Sequence, residues 1–129
     1  MAPKRILVVD DDPNILQLME IMLSRAEFEV VRALGGDLGL RRFQDDRPDL
    51  AIIDIAMPGI DGYELIERIR AAEKANDVAQ EDRMPIMILS AHEQNVMRDY
   101  ADELGVDLYL IKPVKPADLM KHIETLLAK

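Results

Sequence analysis

Residues 50–59 read Leu50-Ala51-Ile52-Ile53-Asp54-Ile55-Ala56-Met57-Pro58-Gly59, an apolar run that brings one carboxylate, that of Asp54, to its end before the chain turns. Burial of an unpaired carboxylate is costly, so Asp54 either faces solvent at a sheet edge or is held by partners for chemistry. The rest of the chain favours the second interpretation, because three other apolar runs also end in polar side chains.

These three runs end in acids, a hydroxyl and an amine. Residues 6–9 run into Asp10-Asp11-Asp12, residues 87–89 run into Ser90, and residues 108–111 run into Lys112. If all four runs are strands of one parallel sheet, their ends lie along a single edge. The sequence therefore predicts one crevice that collects several carboxylates, a hydroxyl and an ammonium group.

Composition limits the class of protein. The length of 129 residues fits one domain, residues 1–129, that needs no disulfide or metal to fold. The chain has no cysteine, no charged-then-apolar leader and no apolar run near the roughly 20 residues that cross a bilayer, which predicts a soluble cytoplasmic protein with no membrane partner. A net charge of −9 without a basic stripe argues against direct nucleic-acid binding.

The hydrophobic pattern predicts five strands that alternate with five helices. The strands are continuous apolar runs, as expected for parallel strands covered on both faces. They are predicted at residues 4–9, 28–32, 49–55, 85–90 and 107–111, and the helices are expected from Pro13 to Arg25, from Gly36 to about residue 44, after Gly62, from His92 to Leu104 and from Pro116 onward. This order predicts an α/β fold, a doubly wound parallel sheet whose ligands bind at the carboxyl ends of the strands.

The predicted crevice has a definite chemistry. Carboxylates of Asp10, Asp11 and Asp54 would repel one another, at about 4 kcal/mol for a pair roughly 4 Å apart in an effective dielectric of about 20. Mg²⁺ with oxygen ligands offsets such repulsion, and the Lys112 ammonium is suited to a phosphoryl oxygen. Together with Ser90, this set fits an aspartyl-phosphate intermediate, in which one carboxylate attacks phosphorus and the other groups hold its oxygens.

Four motifs occur in order at these strand ends: residues 8–11 (Val-Val-Asp-Asp), residues 53–62 around Asp54, residues 89–91 (Leu-Ser-Ala) and residues 109–113 (Tyr-Leu-Ile-Lys-Pro). With them the chain resembles, over essentially its whole length, the response-regulator receiver domains of two-component signalling and is similar to the chemotaxis response regulator. The resemblance implies a flavodoxin-like five-stranded sheet in the order 2-1-3-4-5.

The resemblance also implies roles for the crevice residues. Asp54 would accept a phosphoryl group from the phosphohistidine of a sensor histidine kinase or a histidine phosphotransfer protein. Asp11, Asp54 and the backbone carbonyl of Ala56 would ligate Mg²⁺, or Mn²⁺ in its place, with Asp10 acting mostly through a metal-bound water. Lys112 would contact the phosphoryl oxygens, and its bond to the following proline would be cis.

Ser90 and Tyr109 match the switch pair of the family. A phosphoryl group on Asp54 would draw the Ser90 hydroxyl inward, and the Tyr109 ring would turn into the space left behind. The surface of helix 4, strand 5 and helix 5 would then change shape for a downstream protein effector. The resemblance thus implies a signalling domain rather than an enzyme, although it would assist its own phosphorylation and dephosphorylation.

Structural explanations stand beside these roles. Asp12 is better explained as a helix N-cap, Ser90 could cap helix 4, and Tyr109 could be simple core. Three features depart from the common receiver pattern: Ala56 and His92, which would tune the phosphoryl lifetime, and the long segment 73–83, to which no function is assigned.

Two other functions compete with signalling. A phosphohydrolase of the haloacid-dehalogenase type would use Asp10 as nucleophile, since Asp10 and Asp12 form an aspartate-x-aspartate pair after the first strand. Asn14 stands where that class usually has threonine or valine, and the chain has no room for a cap domain. A phosphorylation-independent interaction domain is disfavoured because all the pocket residues are present. The sequence leaves open whether the domain stands alone or belongs to a longer protein.

Overall fold

Strands and helices alternate along the chain in the computed structural model, which describes residues 2–92 and 96–128. The strands are β1 (Arg5–Asp10), β2 (Glu29–Leu34), β3 (Leu50–Ile53), β4 (Ile86–Ser90) and β5 (Leu108–Ile111). The helices of the described residues are α1 (Pro13–Arg25), α2 (Gly36–Asp46), α3 (Gly62–Ala75), α4 (Arg98–Glu103) and α5 (Pro116–Leu127), and a single 3₁₀ turn, Gln80–Asp82, precedes β4.

All five strands pair in parallel in the order β2-β1-β3-β4-β5, so the predicted topology is confirmed. Val9 lies opposite both Ala33 and Ile53, which aligns the carboxyl ends of the first three strands. Ser90 lies opposite Ile111 in the same way on the other side of the sheet. The residues that follow these strands therefore meet at one edge.

The two faces of the sheet carry separate hydrophobic cores, because successive strand residues point to opposite sides. Leu7 and Val9 face the core under α2, α3 and α4, whereas Ile6 and Val8 face the core under α1 and α5. Full burial of each such aliphatic side chain contributes about 1.5–3 kcal/mol. Helices on both faces confirm the predicted double winding. No helix within the described residues is both long enough and apolar enough to span a bilayer.

The first helix begins as predicted, and one residue of its predicted inner face, Leu18, lies outside the core. Asp12 is its N-cap, and the Asp12 carboxylate accepts a hydrogen bond of 2.9 Å from the Asn14 N–H. The apolar spacing of residues 15, 18, 19, 22 and 23 predicts that all five point inward, but Leu18 is 53% exposed and Leu16 is buried with Met19 and Leu23. The prediction was wrong for Leu18 because Leu16 also has helical spacing to Met19 and Leu23, and two residues turn the helix by about 200°.

The prediction that the fourth helix starts at His92 was wrong. His92 lies outside any helix, and α4 begins at Arg98; residues 93–95 of the predicted helix lie outside the described residues. The Ser90 hydroxyl explains the difference at His92, because it bonds both backbone groups of that residue. The end of the helix is as predicted, with Gly105 in the left-handed conformation (φ +69°) just beyond it.

A buried ion pair secures the opposite, amino edge of the sheet. Arg70 lies 2.6 Å from Glu73, and both side chains are buried. The Arg70 guanidinium also donates to the carbonyls of Leu104, Gly105 and Met84, and Glu73 accepts from the Met84 N–H. This pair fastens α3 to the end of the long connection over residues 76–85, which leads into β4, and to the chain entering β5.

Candidate functional site

The carboxyl edge of the sheet brings the predicted polar residues into one pocket. Asp10 is the last residue of β1, Asp54 follows β3, Ser90 is the last residue of β4, and Lys112 follows β5. Backbone hydrogen bonds extend the strand pairing past the strand ends, from the Asp54 N–H to Val9 (2.9 Å) and from the Lys112 N–H to Ser90 (2.7 Å). The backbone therefore fixes where these side chains start.

Three carboxylates crowd together in this pocket. One oxygen from each of Asp10, Asp11 and Asp54 lies within 4.8 Å of the other two. Asp10 is 3% and Asp54 7% exposed, whereas Asp11 is exposed at the rim. Burial, followed by the negative charge of Asp10, raises the pKa of Asp54 from 3.8 to about 6. The pocket therefore holds more negative charge than its surroundings neutralise.

Lys112 is the cation of the pocket, and it lies nearer to Asp10 than to Asp54. Its Nζ atom is 3.0 Å from Asp10 Oδ2 and 3.8 Å from Asp54 Oδ1. Asp10 also accepts a hydrogen bond of 3.0 Å from the Asp12 N–H, so its carboxylate is held on both oxygens. The Lys112–Pro113 bond is cis, which confirms that part of the prediction.

The acidic cluster fits a magnesium ion. Mg²⁺ prefers oxygen ligands at about 2.0–2.1 Å and keeps several waters, so it accepts one or two carboxylates directly and others through water. The three clustered carboxylates are such ligands, and a bound cation would relieve the repulsion between them. Ala56 lies exposed in the loop just after Asp54, and its carbonyl as a ligand stays a prediction.

The start of α3 packs directly against the backbone of Asp54. Asp61 caps the helix by accepting a hydrogen bond of 2.9 Å from the Glu64 N–H, and the Gly62 N–H donates to Ile55 (2.9 Å). A Cβ atom at Gly62 would overlap the carbonyl oxygen of Asp54 and the Cα of Ile55. Only glycine allows this approach, so the start of α3 lies in direct contact with the backbone of Asp54 and Ile55.

Ser90 and Tyr109, predicted as a switch pair, lie on neighbouring strands. The buried Ser90 hydroxyl donates to the His92 carbonyl (3.1 Å) and accepts from the His92 N–H (3.3 Å). Tyr109 is half-buried, and the guanidinium of Arg98 lies over its ring at 5.1 Å. Arg98 could not be predicted as a partner of Tyr109, because a single arginine in a predicted helix forms no sequence pattern that marks a contact.

A family model described as the response regulator receiver domain matches residues 6–124 of the chain. The chain belongs to this family. All four strand-end motifs lie inside the matched region, so this is a receiver domain of two-component response regulators, as the resemblance implied. The match gives no support to the haloacid-dehalogenase-type alternative.

Individual relatives agree with the assignment. The transcriptional regulatory protein PrrA of Mycobacterium tuberculosis is 38% identical over 125 residues, which are 97% of this chain and 50% of PrrA. The receiver domain thus spans about half the length of the curated relatives that it matches.

Solved structures of receivers superpose closely on this one. The chemotaxis protein CheY4 of Vibrio cholerae has a TM-score of 0.83 at 27% identity, covering 97% of this chain and 99% of CheY4. TrrA of Thermotoga maritima, solved in complex with Mg²⁺–BeF, has a TM-score of 0.81 at 32% identity, covering 95% of this chain and 98% of TrrA.

Proposed function

We propose that Asp54 of this receiver domain accepts a phosphoryl group from the phosphohistidine of a sensor histidine kinase or a histidine phosphotransfer protein. The observation that carries the proposal is the convergence of Asp10, Asp11 and Lys112 on the buried Asp54. A carboxylate oxygen of Asp54 attacks phosphorus, the phosphorus–nitrogen bond breaks, and the histidine nitrogen keeps the electron pair and takes up a proton.

Different side chains of the pocket would bind different oxygens of the phosphoryl group. Lys112 already lies within 3.8 Å of Asp54, so its ammonium needs only a short movement from Asp10 to reach a phosphoryl oxygen. The Ser90 hydroxyl, once released from His92, donates to another. Ala56 and His92, which follow Asp54 and Ser90 by two residues each, would tune how long the phosphoryl group stays. The domain would in this way assist its own phosphorylation and dephosphorylation.

The metal of the proposed site is magnesium, with manganese as a substitute. Mg²⁺ bound by Asp11, Asp54 and the Ala56 carbonyl, with Asp10 acting through a water, would neutralise the charge that the carboxylates and the phosphoryl oxygens bring together. Support comes from the donor set itself and from TrrA, whose solved complex contains Mg²⁺ and beryllium fluoride.

The proposed output is a change on the surface of α4, β5 and α5. Movement of Ser90 toward the phosphoryl group makes room for the half-exposed Tyr109 ring to turn inward. A downstream protein effector then reads the altered surface. We take residues 1–129 as one receiver domain that meets its phosphodonor in the cytoplasm and acts through protein partners rather than through nucleic acid or membrane.

Phosphorylation with acetyl phosphate and Mg²⁺, followed by peptide mapping in a mass spectrometer, tests the assignment. We expect one phosphoryl group per chain, on Asp54, and no labelling of Asp54→Asn or of the wild type in EDTA. A phosphorylated histidine kinase should label the same residue.

Asp12→Asn is the matched control. Asp12 is an acid from the same loop that caps α1, and asparagine caps equally well, so this variant should be labelled like the wild type. Label on Asp10 instead of Asp54, or labelling that does not need a divalent metal, would contradict the proposal.

A further inference from the structure

Tyr63 holds the beginning of α4. It is the second residue of α3, its side chain is buried, and its hydroxyl accepts a hydrogen bond from the N–H of Met97, the residue just before α4. The Tyr63 ring also packs against that of Tyr100, one turn into α4, with the ring centroids 5.5 Å apart. One side chain of α3 therefore fixes both the first amide and the first turn of α4.

The backbone of Tyr63 is itself fixed to the phosphoacceptor. The preceding Gly62 donates to Ile55 and lies too close to the Asp54 carbonyl to admit a side chain. Since the start of α3 contacts the Asp54 backbone directly, these contacts set the position of Tyr63 relative to the pocket.

The chain between Ser90 and α4 is thus attached at both of its described ends. At one end, the Ser90 hydroxyl bonds the backbone of His92, and at the other the Tyr63 hydroxyl bonds Met97. The next residue, Arg98, lies over the ring of Tyr109. The first turn of α4 therefore contacts the phosphoacceptor side through Tyr63 and the output surface through Tyr109.

A change of state must strain these attachments. When Ser90 donates to a phosphoryl oxygen, the His92 backbone loses its bonds to the hydroxyl. A displacement of Met97 in that state would weaken its bond to Tyr63, since a hydrogen bond weakens steeply once its length and angle depart from the usual range. A bond that is made in one state and weakened in the other stabilises only the first.

We infer that Tyr63 is a positioning residue, which holds α4 in its unphosphorylated place through Met97 and thereby opposes activation. The inference rests on the proposed function, because it assigns Tyr63 a part in the response to a phosphoryl group on Asp54. Tyr63, which lies outside both the pocket and the Ser90–Tyr109 pair, would then help to set how strongly the unphosphorylated state is favoured.

Tyr63→Phe tests the inference, because it keeps the ring and removes the hydroxyl. The probe is beryllium fluoride with Mg²⁺, titrated by calorimetry into the wild type and the variant. We expect about three- to tenfold tighter binding by Tyr63→Phe, the effect of losing one ordinary hydrogen bond from the unliganded state alone. Amide exchange measured by NMR should also be faster at Met97 in the unliganded variant.

Tyr100→Phe is the matched control, since it removes a hydroxyl from the other ring of the pair and leaves the Tyr63–Met97 bond in place; its affinity should equal that of the wild type. Equal or weaker binding by Tyr63→Phe would overturn the inference, because a purely structural bond changes the free energy of unfolding and not the affinity. Failure of the wild type itself to bind the probe would instead overturn the proposed function, and the inference with it.

Discussion

At the residue scale, the central feature of the pocket is the carboxylate of Asp54, which is buried where its negative charge is unfavourable. Asp54 is buried beside Asp10, and both effects favour its protonated form. A group whose pKa is higher in the folded than in the unfolded state binds protons more tightly when folded. For Asp54 the folded domain therefore loses stability as the pH rises from about 4 through about 6.

Asp54→Asn should accordingly stabilise the metal-free domain at neutral pH. The carboxylate penalty is complete above pH 6 and absent below pH 4, so the free energy of unfolding of the variant should exceed that of the wild type by about 1–2 kcal/mol at pH 7.5, allowing for solvent screening, and by nothing at pH 3.5. Urea unfolding in EDTA across this pH range measures the difference.

Magnesium supplies the control for that measurement. Mg²⁺ should bind the wild type more tightly than the variant. Added Mg²⁺ should therefore reduce or reverse the difference between their free energies of unfolding at pH 7.5. A variant that is less stable than the wild type at neutral pH without metal would show that Asp54 is not held under electrostatic strain.

At the element scale, the sequence was sufficient for the strands and for the meeting of their polar ends. Parallel strands end at one edge, so motifs at the ends of four apolar runs had to converge there. The sequence was insufficient for the start of α4. The Ser90 hydroxyl bonds the backbone groups of His92, which a helix would otherwise use, and the spacing of apolar residues gives no sign of these bonds. The exposed Leu18 shows the same limit, since Leu16 and Leu18 both fit an apolar helical pattern and only Leu16 is buried.

The approach of α3 to β3 yields a second prediction. Gly62→Ala should lower the free energy of unfolding by about 2–3 kcal/mol, because its Cβ overlaps backbone atoms of Asp54 and Ile55 that cannot move aside cheaply. It should also weaken Mg²⁺ binding, since relief of the overlap displaces Asp54. Thermal unfolding and calorimetry measure the two effects.

Glu67→Ala, on the exposed side of the same helix, is the comparison and should change stability by less than about 0.5 kcal/mol. If Gly62→Ala were as stable as Glu67→Ala, the packing of α3 onto the phosphoacceptor would be looser than described.

At the scale of the whole molecule, the carboxyl edge and the amino edge of the sheet differ in how their buried charges are balanced. The carboxyl edge concentrates uncompensated charge for chemistry, whereas the amino edge carries a compensated pair, Arg70 and Glu73, with its hydrogen-bonding groups engaged by backbone. The sequence could not reveal this pair, because charges three residues apart on a helix usually lie on its solvated face.

Arg70→Met should therefore lower the free energy of unfolding by about 3–5 kcal/mol, because it leaves the Glu73 carboxylate buried without its cation. The double variant Arg70→Met/Glu73→Met should recover part of that loss. Mg²⁺ affinity of the folded fraction should match the wild type, since the pair lies at the opposite edge. Urea unfolding and calorimetry at low temperature provide both values.

Arg68→Met serves as the reference, because Arg68 pairs with Glu64 at 3.7 Å with half of its side chain exposed and should cost less than about 0.5 kcal/mol. A comparable cost for Arg68→Met and Arg70→Met would mean that burial does not set the strength of the Arg70 pair.

The long connection ahead of β4, residues 76–85, is a suitable place for a spectroscopic label. It crosses the amino edge, and Glu81 within it is exposed, while the whole polypeptide contains no thiol of its own. A single cysteine introduced there would take a fluorophore or spin label at one defined position, remote from the acids. Such a reporter could follow encounters with other proteins in real time without perturbing the reaction that it monitors.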